Sequence, residues 1–366
     1  MRAYKFRIYP SKKQEKEMEL HLFLSKQLWN ELLAFSKEHY LSFHLLPTKT
    51  ALREIAKECG LYSQVAQALV DRLHKALWQK AKEKKGFPRF KSFEKMKTLI
   101  YPQFGFSLEN KLKTQFGEIS IKQHRAVAGR IKTLTLKRES SGKWFAIFCA
   151  EEEKKAPAEN RGEKIGIDLG LKSFATLSNG KVIANPRHFM RFEAKLRSCQ
   201  QNLSRCARGS KNRRKAKLKV ARIHERISNC RADFLHKLSR EIVTTYSFIA
   251  LESLSSKEMA ENRFGKSIND AGWGMFANML AYKAEEAGCE VMFVNPKDTT
   301  TECSSCGALV YKKLEERMHN CSFCGLNTDR DLNAALNILM RATVGTTGSN
   351  SSGDERVLSS VKEDAT

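Results

Sequence analysis

Two Cys-x-x-Cys pairs lie close together in the last quarter of this 366-residue chain. Cys303 and Cys306 form the first pair, Cys321 and Cys324 form the second, and fourteen residues separate the two pairs. Thiols at this spacing predict a zinc ribbon, in which four sulfur atoms surround one structural Zn²⁺ ion as a tetrahedron. A closed site of this kind has no open coordination position, so the ribbon by itself predicts stability and not catalysis.

Disulfide bonds and a redox pair are the competing explanations of these cysteines. Disulfides fit poorly, because no secretory leader is recognisable and intracellular thiols stay reduced. A redox pair does not need a second copy at ribbon spacing. The six remaining cysteines are scattered, as expected of small buried apolar residues; they are Cys59, Cys149, Cys199, Cys206, Cys230 and Cys289.

A large excess of basic residues indicates a polyanionic partner. The 65 Lys and Arg residues outnumber the 40 Asp and Glu residues, which gives a formal net charge of +25. Nucleic acid is the leading candidate. An anionic membrane is the alternative, although the sequence contains no long apolar span and no lipidation signal.

About half of this excess lies in residues 191–240, which contain 16 basic and 3 acidic residues. Apolar residues such as Leu218 and Leu235 recur there at near-helical spacing, and "RGS" at 208–210 predicts a break between two helices. A solvated charged face is the bland explanation, but a stripe of one sign suits a phosphate backbone better. The candidate nucleic-acid contacts in this hairpin are Lys211, Arg213, Arg214, Lys215, Lys217 and Lys219.

The first 156 residues predict a mixed module of helices and strands. "RAYKFRIYP" alternates as a strand does and stops at Pro10, and Ser11 with Gln14 forms a capping box before a helix. A second helix is predicted over 63–83, and the pattern from about 100 to 150 is typical of strands. Between them, "KKGFPRFKS" interleaves aromatic and basic side chains. That pattern suits base stacking and loop packing equally well, and its candidate contacts are Phe87, Arg89 and Phe90.

Three carboxylates stand at the ends of predicted elements. Asp168 is predicted as the last residue of an alternating strand, and Glu252 closes the short apolar run "FIAL". Asp331 lies at the start of a helix, where Thr328 and Asp331 satisfy a capping pattern. Each of these carboxylates taken alone is more often a structural residue than a functional one.

Taken together, the three carboxylate motifs and the ribbon resemble a known family. Asp168 in "GIDLG", Glu252 in "ALESL" and Asp331 in "DRDLNAALNI" directly after a ribbon are similar to the split RuvC-like nuclease of the TnpB family. These proteins are transposon-encoded relatives of the type V CRISPR effectors. The resemblance runs from residue 1 to about 341 and includes "YKFRIYP", "GFPRFKS" and "INDAGWGMFANMLAYKAEEAG".

This resemblance implies a multidomain α+β protein. Its first part would be a β-barrel-like wedge module with a helical recognition insert, and its second a ribonuclease-H-like (RuvC) nuclease domain interrupted by a zinc ribbon. The implied boundaries are 1–156 for the wedge module with its insert at about 11–98, 157–300 for the nuclease domain with its basic hairpin at 190–240, 301–327 for the ribbon, 328–342 for the last nuclease segment and 343–366 for a disordered tail.

The resemblance also implies an activity and its partners. The expected protein takes a guide RNA from its transposon end and cuts matching double-stranded DNA beside a short flanking motif. Two catalytic Mg²⁺ ions would be held by Asp168, Glu252 and Asp331, with Asp329 as the fallback for Asp331. No obligatory protein partner and no membrane is expected, and the expected location is the prokaryotic cytoplasm in association with the nucleoid. A nuclease-silent guided repressor and a transposase that joins DNA strands directly are the alternatives.

Overall fold

The computed structural model describes residues 1–83, 85–152, 160–254, 265–313 and 315–344. The chain divides into two compact units, Met1–Lys154 and Lys155–Thr366. Both are built from helices and strands, as predicted for an α+β protein. Within the described ranges, no helix is both long and apolar enough to cross a membrane. The finer domain boundaries remain predictions.

The first unit is a seven-stranded sheet with helices inserted after its first strand. In order along the sheet, the strands are β2, β6, β7, β1, β5, β4 and β3. Their bounds are Arg2–Tyr9 (β1), Thr98–Tyr101 (β2), Phe106–Leu108 (β3), Leu112–Thr114 (β4), Gly117–Lys122 (β5), Arg130–Arg138 (β6) and Trp144–Glu151 (β7). The inserted helices are Lys12–Phe43 (α1), Lys49–Ile55 (α2) and Ser63–Glu83 (α3).

This sheet curls until it is nearly closed. Tyr101 on the edge strand β2 and Phe106 on the opposite edge strand β3 have ring centroids 6.4 Å apart, and Phe106 also contacts Phe148 of β7. Alternate residues of β1 and β7 point into this core, which also receives the apolar faces of α1 and α3. Curling lets the two edge strands bury their aromatic side chains against each other.

The predicted start of α1 is confirmed. Ser11 Oγ accepts a hydrogen bond from Gln14 N–H, and the Gln14 side chain accepts one from Ser11 N–H, which completes the capping box. The short helix α2 was not predicted, because seven residues are too few to display helical periodicity. Thr48 caps it through a hydrogen bond from Ala51 N–H.

The second unit contains a five-stranded sheet in the order β10, β9, β8, β11 and β12. The bounds are Lys164–Leu169 (β8), Ser173–Leu177 (β9), Val182–Ala184 (β10), Phe248–Glu252 (β11) and Glu290–Val294 (β12). Strands β8, β11 and β12 are parallel, and β9 pairs with β8 antiparallel. The other described elements are the helices His188–Arg205 (α4), Lys211–Thr245 (α5), Gly265–Ala271 (α6), Trp273–Ala287 (α7) and Arg330–Val344 (α8), and the two-stranded pair Met318–Asn320 (β13) and Asn327–Asp329 (β14).

Strand β8 differs from its prediction in two ways. It extends one residue past Asp168 to Leu169, and residues 165–168 are all buried, whereas an alternating strand was expected. The reason is its central place in the sheet, with helices on both faces. Ile165 and Ile167 pack in the core formed by α5 and α7, while the opposite face of the sheet packs against α8.

The basic hairpin is confirmed as two helices, α4 and α5. Ser210 caps α5 by accepting a hydrogen bond from Arg213 N–H, and the Arg213 guanidinium donates to the carbonyls of Leu203 and Cys206 at the end of α4. Leu218, expected on the apolar face, is exposed; Ala216 faces the packing at this point instead. A helical period estimated from sequence drifts over 35 residues, so one position was misassigned.

Helix α8 continues to Val344, two residues past the predicted end of the last nuclease segment. Residues 345–366 of the predicted tail and 153–159 of the predicted linker lie outside the described residues.

Candidate functional site

A glycine in the central strand β8 lets helix α8 lie directly on the sheet. A Cβ atom at Gly166 would be 2.2 Å from the Ala335 carbonyl oxygen and 2.8 Å from Leu339 Cβ. No other residue fits there without moving α8. Asp168 lies two residues along the strand on the same face as Gly166, and Asp331 lies one helical turn before Ala335. The contact therefore brings Asp331 toward Asp168.

The parallel pairing of β8 and β11 adds the third carboxylate. Leu251 pairs with Ile167, so Glu252 is the neighbour of Asp168 across the ladder. Phe248 and Ala250 pack with α8, and Glu252 shares their face because strand side chains alternate. All three predicted carboxylates thus lie on one face of the sheet, at the carboxyl ends of two parallel strands and the first turn of α8.

These carboxylates influence one another electrostatically. Burial, with the negative charges of Glu252 and Asp331, raises the pKa of Asp168 to about 8, whereas Arg330 lowers it. Asp168 is only 9% exposed, so little water is available to stabilise its charge. A cluster of like charges in a poorly solvated place is stabilised by a bound cation. Hard oxygen donors of this type fit Mg²⁺.

Thr299 orients Glu252. Its hydroxyl donates a hydrogen bond to Glu252 Oε1, which leaves the second carboxylate oxygen available. Burial raises the pKa of Glu252, while the hydroxyl of Thr299 and the charge of Arg341 act in the opposite direction. Thr299 was not identified from the sequence, because a lone threonine between a strand and a ribbon carries no local signal.

Arginines hold Asp331 on the other side of the cluster. Arg330 Nε lies 3.5 Å from Asp331 Oδ1, and Arg317 Nη1 lies 3.8 Å from the same oxygen. Among the described residues, the ribbon cysteines are the one group of three or more His, Cys, Asp or Glu side chains whose ligand atoms are close enough together to hold a metal ion; they lie within 4.8 Å of one another, and the three carboxylates are not such a group.

Asp329 has a structural role that the sequence did not reveal. Its Oδ1 accepts hydrogen bonds from the backbone N–H groups of Asp331 at 2.8 Å and Leu332 at 3.3 Å, so it caps α8. The predicted capping pair of Thr328 and Asp331 is therefore wrong. Helix α8 begins at Arg330, one residue later than that pair requires, because Thr328 belongs to strand β14.

The cap makes a testable distinction between the two aspartates. Asp329→Ala should lower the free energy of unfolding by about 1 kcal/mol, because two N–H groups lose their acceptor. DNA cleavage should fall less in Asp329→Ala than in Asp331→Ala. The measurement is thermal unfolding beside a cleavage assay, with Asp329→Asn as the matched control that retains a capping oxygen. If cleavage required Asp329 and did not require Asp331, the roles given to the two aspartates would be reversed.

The four ribbon cysteines form a cluster that fits a structural metal ion such as zinc. The Cys303 and Cys324 sulfur atoms are 3.6 Å apart, as are those of Cys306 and Cys321. Tetrahedral Zn–S bonds of about 2.3 Å would place sulfur atoms about 3.8 Å apart. Backbone N–H groups of Cys324 and Phe323 lower the pKa of Cys321, which favours the thiolate that a metal requires.

The two turns that carry these cysteines have the same geometry. Cys303 N–H donates to Ala308, and Cys321 N–H donates to Leu326. The glycine that follows each pair has a φ of 75°, in the left-handed region that glycine tolerates; these residues are Gly307 and Gly325. Strands β13 and β14 flank the second turn, and β14 ends at Asp329 where α8 begins at Arg330. The ribbon and the helix of Asp331 are thus joined without a linker.

A polar stripe on α8 fastens the segment that leads into the ribbon. The Asn333 and Asn337 amides both donate to the Glu302 carbonyl at 2.7 Å, and Asn337 also donates to the Thr299 carbonyl at 2.9 Å. Arg341 Nη2 bonds the Glu302 carboxylate. The two asparagines are buried, and they recur four residues apart in an otherwise apolar helix face. Two asparagines four residues apart on an apolar helix face are the sequence signal that could have identified these residues.

The candidate nucleic-acid contacts fall into two groups. In the hairpin, the Arg213 guanidinium donates a hydrogen bond to the Leu203 carbonyl near the end of α4. The other hairpin candidates are exposed; they are Lys211, Arg214, Lys215, Lys217 and Lys219. In the "GFPRFKS" loop, Phe87 packs against the core of the first unit, while Phe90 is 52% exposed with the Lys37 ammonium 4.6 Å from its ring centre. Arg89 is exposed, and its carbonyl accepts a hydrogen bond from the Trp29 indole.

Comparison with known proteins places this chain in a family. Residues 147–263 match the family described as "Probable transposase", residues 273–338 match "Cas12f1-like, TNB domain" and residues 1–57 match a "Helix-turn-helix domain". A Streptomyces pristinaespiralis protein named "Putative RNA-guided DNA endonuclease" is 32% identical over 92% of this chain and 88% of its own length. The chain belongs to the TnpB family.

A second relative agrees with this assignment, and one solved structure shares the fold. The Escherichia coli K12 protein named "Putative RNA-guided DNA endonuclease InsQ" is 29% identical and covers 93% of this chain and 92% of its own length. The Cas12f1 structure from a Cas12f1–sgRNA–target DNA complex has a TM-score of 0.59 at 17% identity and covers 90% of this chain and 83% of its own. At that identity the likeness concerns the fold alone.

Proposed function

We propose that this TnpB family chain is an RNA-guided DNA endonuclease. Its relatives at 32% and 29% identity carry that activity in their names, and both relatives match this chain over most of their own length. One observation of this chain carries the proposal: Asp168, Glu252 and Asp331, far apart in sequence, lie on one face of one sheet and shift the pKa of Asp168. A nuclease-silent guided repressor would not need to retain all three acids.

The catalytic centre in this proposal is a ribonuclease-H-like (RuvC) site. Asp168, Glu252 and Asp331 would hold the two Mg²⁺ ions through their carboxylate oxygens. When bound, these ions activate water and stabilise the leaving oxygen of a phosphodiester. The chain itself fixes Glu252 through the Thr299 hydroxyl and balances the charge of Asp331 with Arg317 and Arg330. The four ribbon cysteines would hold one structural Zn²⁺.

The test uses the chain expressed in bacteria together with its native flanking DNA. RNA that copurifies with the chain is sequenced, and the loaded complex is incubated with Mg²⁺ and plasmids that carry a match to that RNA beside randomised flanks. We expect cleavage of matched plasmids that share one short flanking motif. Guided binding without cutting would favour the repressor, joined DNA ends would favour a transposase, and no bound RNA would overturn the proposal.

The basic hairpin should supply the backbone contacts for the RNA. Lys211, Lys215 and Lys219 are exposed and recur every four residues, so they lie along one face of α5. Reversing all three to glutamate should weaken RNA binding and lower the slope of log Kd against log salt by about 2, because each lost phosphate contact removes about 0.7 to 0.9. Filter binding at several salt concentrations measures this slope. Replacement of the same three lysines by arginine, which keeps the charge, is the control. An unchanged slope in the glutamate variant would mean that this face binds no phosphate.

A further inference from the structure

Two cations of the first unit meet against one buried tryptophan. Arg72 lies on α3, and Lys91 lies in the loop after this helix. The Lys91 ammonium is 3.5 Å from the centre of the Trp29 ring, and the Arg72 guanidinium carbon is 6.0 Å from it. Trp29 itself is 5% exposed, so the indole is a fixed part of the core.

Hydrogen bonds fix the backbone of Lys91 and the side chain of Arg72. Lys91 N–H donates to Asn30 Oδ1 at 2.8 Å, and the Asn30 amide donates back to the Lys91 carbonyl at 3.0 Å. This pair of bonds fixes the backbone of Lys91 to α1. Arg72 Nη1 lies 3.3 Å from Thr98 Oγ1, the first residue of β2. Both cations are thus positioned by the fold, whereas lysines on a solvated surface are normally free to separate.

Neither cation is balanced by an acid in the described part of the chain. No carboxylate there lies within 4.0 Å of Arg72 or Lys91. Asp71, which precedes Arg72 in the sequence, pairs with Lys49 at 2.7 Å and Arg53 at 3.7 Å. Burial and the charge of Arg72 lower the pKa of Lys91 to about 8. Contact with the Trp29 ring offsets only part of this cost.

We propose that Arg72 and Lys91 form a binding site for one backbone phosphate of a nucleic acid. The guanidinium can donate two parallel hydrogen bonds to the phosphate oxygens, and the ammonium adds a point charge. An anion between them removes the repulsion that the fold imposes. The ligand class is a phosphodiester, and its two possible sources are the guide RNA and the target DNA of the proposed function.

The experiment compares variants that remove charge and retain the aliphatic stems. Arg72→Met and Lys91→Met are each titrated by fluorescence anisotropy against two labelled probes, the RNA that copurifies with the chain and a duplex DNA, at several salt concentrations. Each variant should bind one probe about tenfold more weakly, and the slope of log Kd against log salt should fall by about 0.7 to 0.9. The probe that responds identifies the source of the phosphate.

The matched control removes charge elsewhere in the same unit. Lys111 and Lys113 both pair with Glu118, so Lys111→Met and Lys113→Met should leave both slopes unchanged. Unchanged slopes in the Arg72 and Lys91 variants, or an equal fall in the control variants, would overturn the inference.

A second measurement needs no variant. The wild-type chain is acetylated briefly near pH 8 with and without each probe, and mass spectrometry follows Lys91. We expect labelling of Lys91 in the free chain and at least severalfold protection by the probe that binds there. Equal labelling with and without both probes would contradict the site. These readouts do not depend on cleavage, so a chain that binds phosphate here and cuts nothing would refute the proposed nuclease and leave this inference standing.

Discussion

Replacement of Asp168 by asparagine should abolish guided DNA cleavage while leaving RNA binding near the wild-type level. The change removes an ionisable carboxylate next to Glu252 and Asp331, and a neutral amide would hold divalent cations far less well than a carboxylate. We expect the cleavage rate to fall on the order of 10³-fold or more. Glu252→Gln and Asp331→Asn should have effects of the same order. Single-turnover cleavage of matched DNA in Mg²⁺ measures the loss.

Two controls make this result specific. The affinity for the copurified RNA is measured for every variant, since the hairpin lysines and Arg72 lie on elements that the substitution does not touch. Asp298→Asn is the matched control, because it neutralises another aspartate of the second unit. The described hydrogen bond of the Asp298 side chain is to Thr301 and to none of the three carboxylates. Wild-type cleavage by Asp168→Asn would refute the assignment, and so would an equal loss in Asp298→Asn.

The second large effect concerns the ribbon. Cys303→Ser with Cys321→Ser should remove the bound zinc, about one ion per chain in the wild type, because each change takes a thiolate from one of the two turns. Structural zinc contributes about 10 kcal/mol or more to the folding of small ribbons, so this ribbon should lose its fold. Cleavage should be lost with it, because β14 runs directly into the helix that carries Asp331.

Elemental analysis and proteolysis separate this prediction from a general loss of folding. The ribbon, residues 301–327, should become sensitive to protease while the first unit remains protected. Cys230→Ser is the control, since Cys230 lies outside the cluster and should leave the zinc content unchanged. Zinc content equal to wild type in the double variant would show that these thiols are not the ligands.

Local signals let the sequence determine much of this protein. The capping box at Ser11, the break at 208–210 and the strand that ends in Glu252 depend on neighbours within a few residues, and all three are confirmed. The Cys-x-x-Cys pairs are local signals too, because the backbone hydrogen bonds of each turn lie within a few residues. Only the approach of the two turns to each other is long-range. The three carboxylates were predicted at the ends of elements, and the resemblance of their motifs and the ribbon to the TnpB family made them candidates.

Only the tertiary structure decided how these pieces meet. Gly166 sets the distance between α8 and the sheet, Thr299 orients Glu252, and Asp329 caps the helix where Thr328 was expected to do so. Arg72 and Lys91 are nineteen residues apart and show no joint pattern, yet Trp29 and Asn30 bring them together. Contacts between residues distant in the chain depend on packing in three dimensions, and periodicity and spacing carry no record of them.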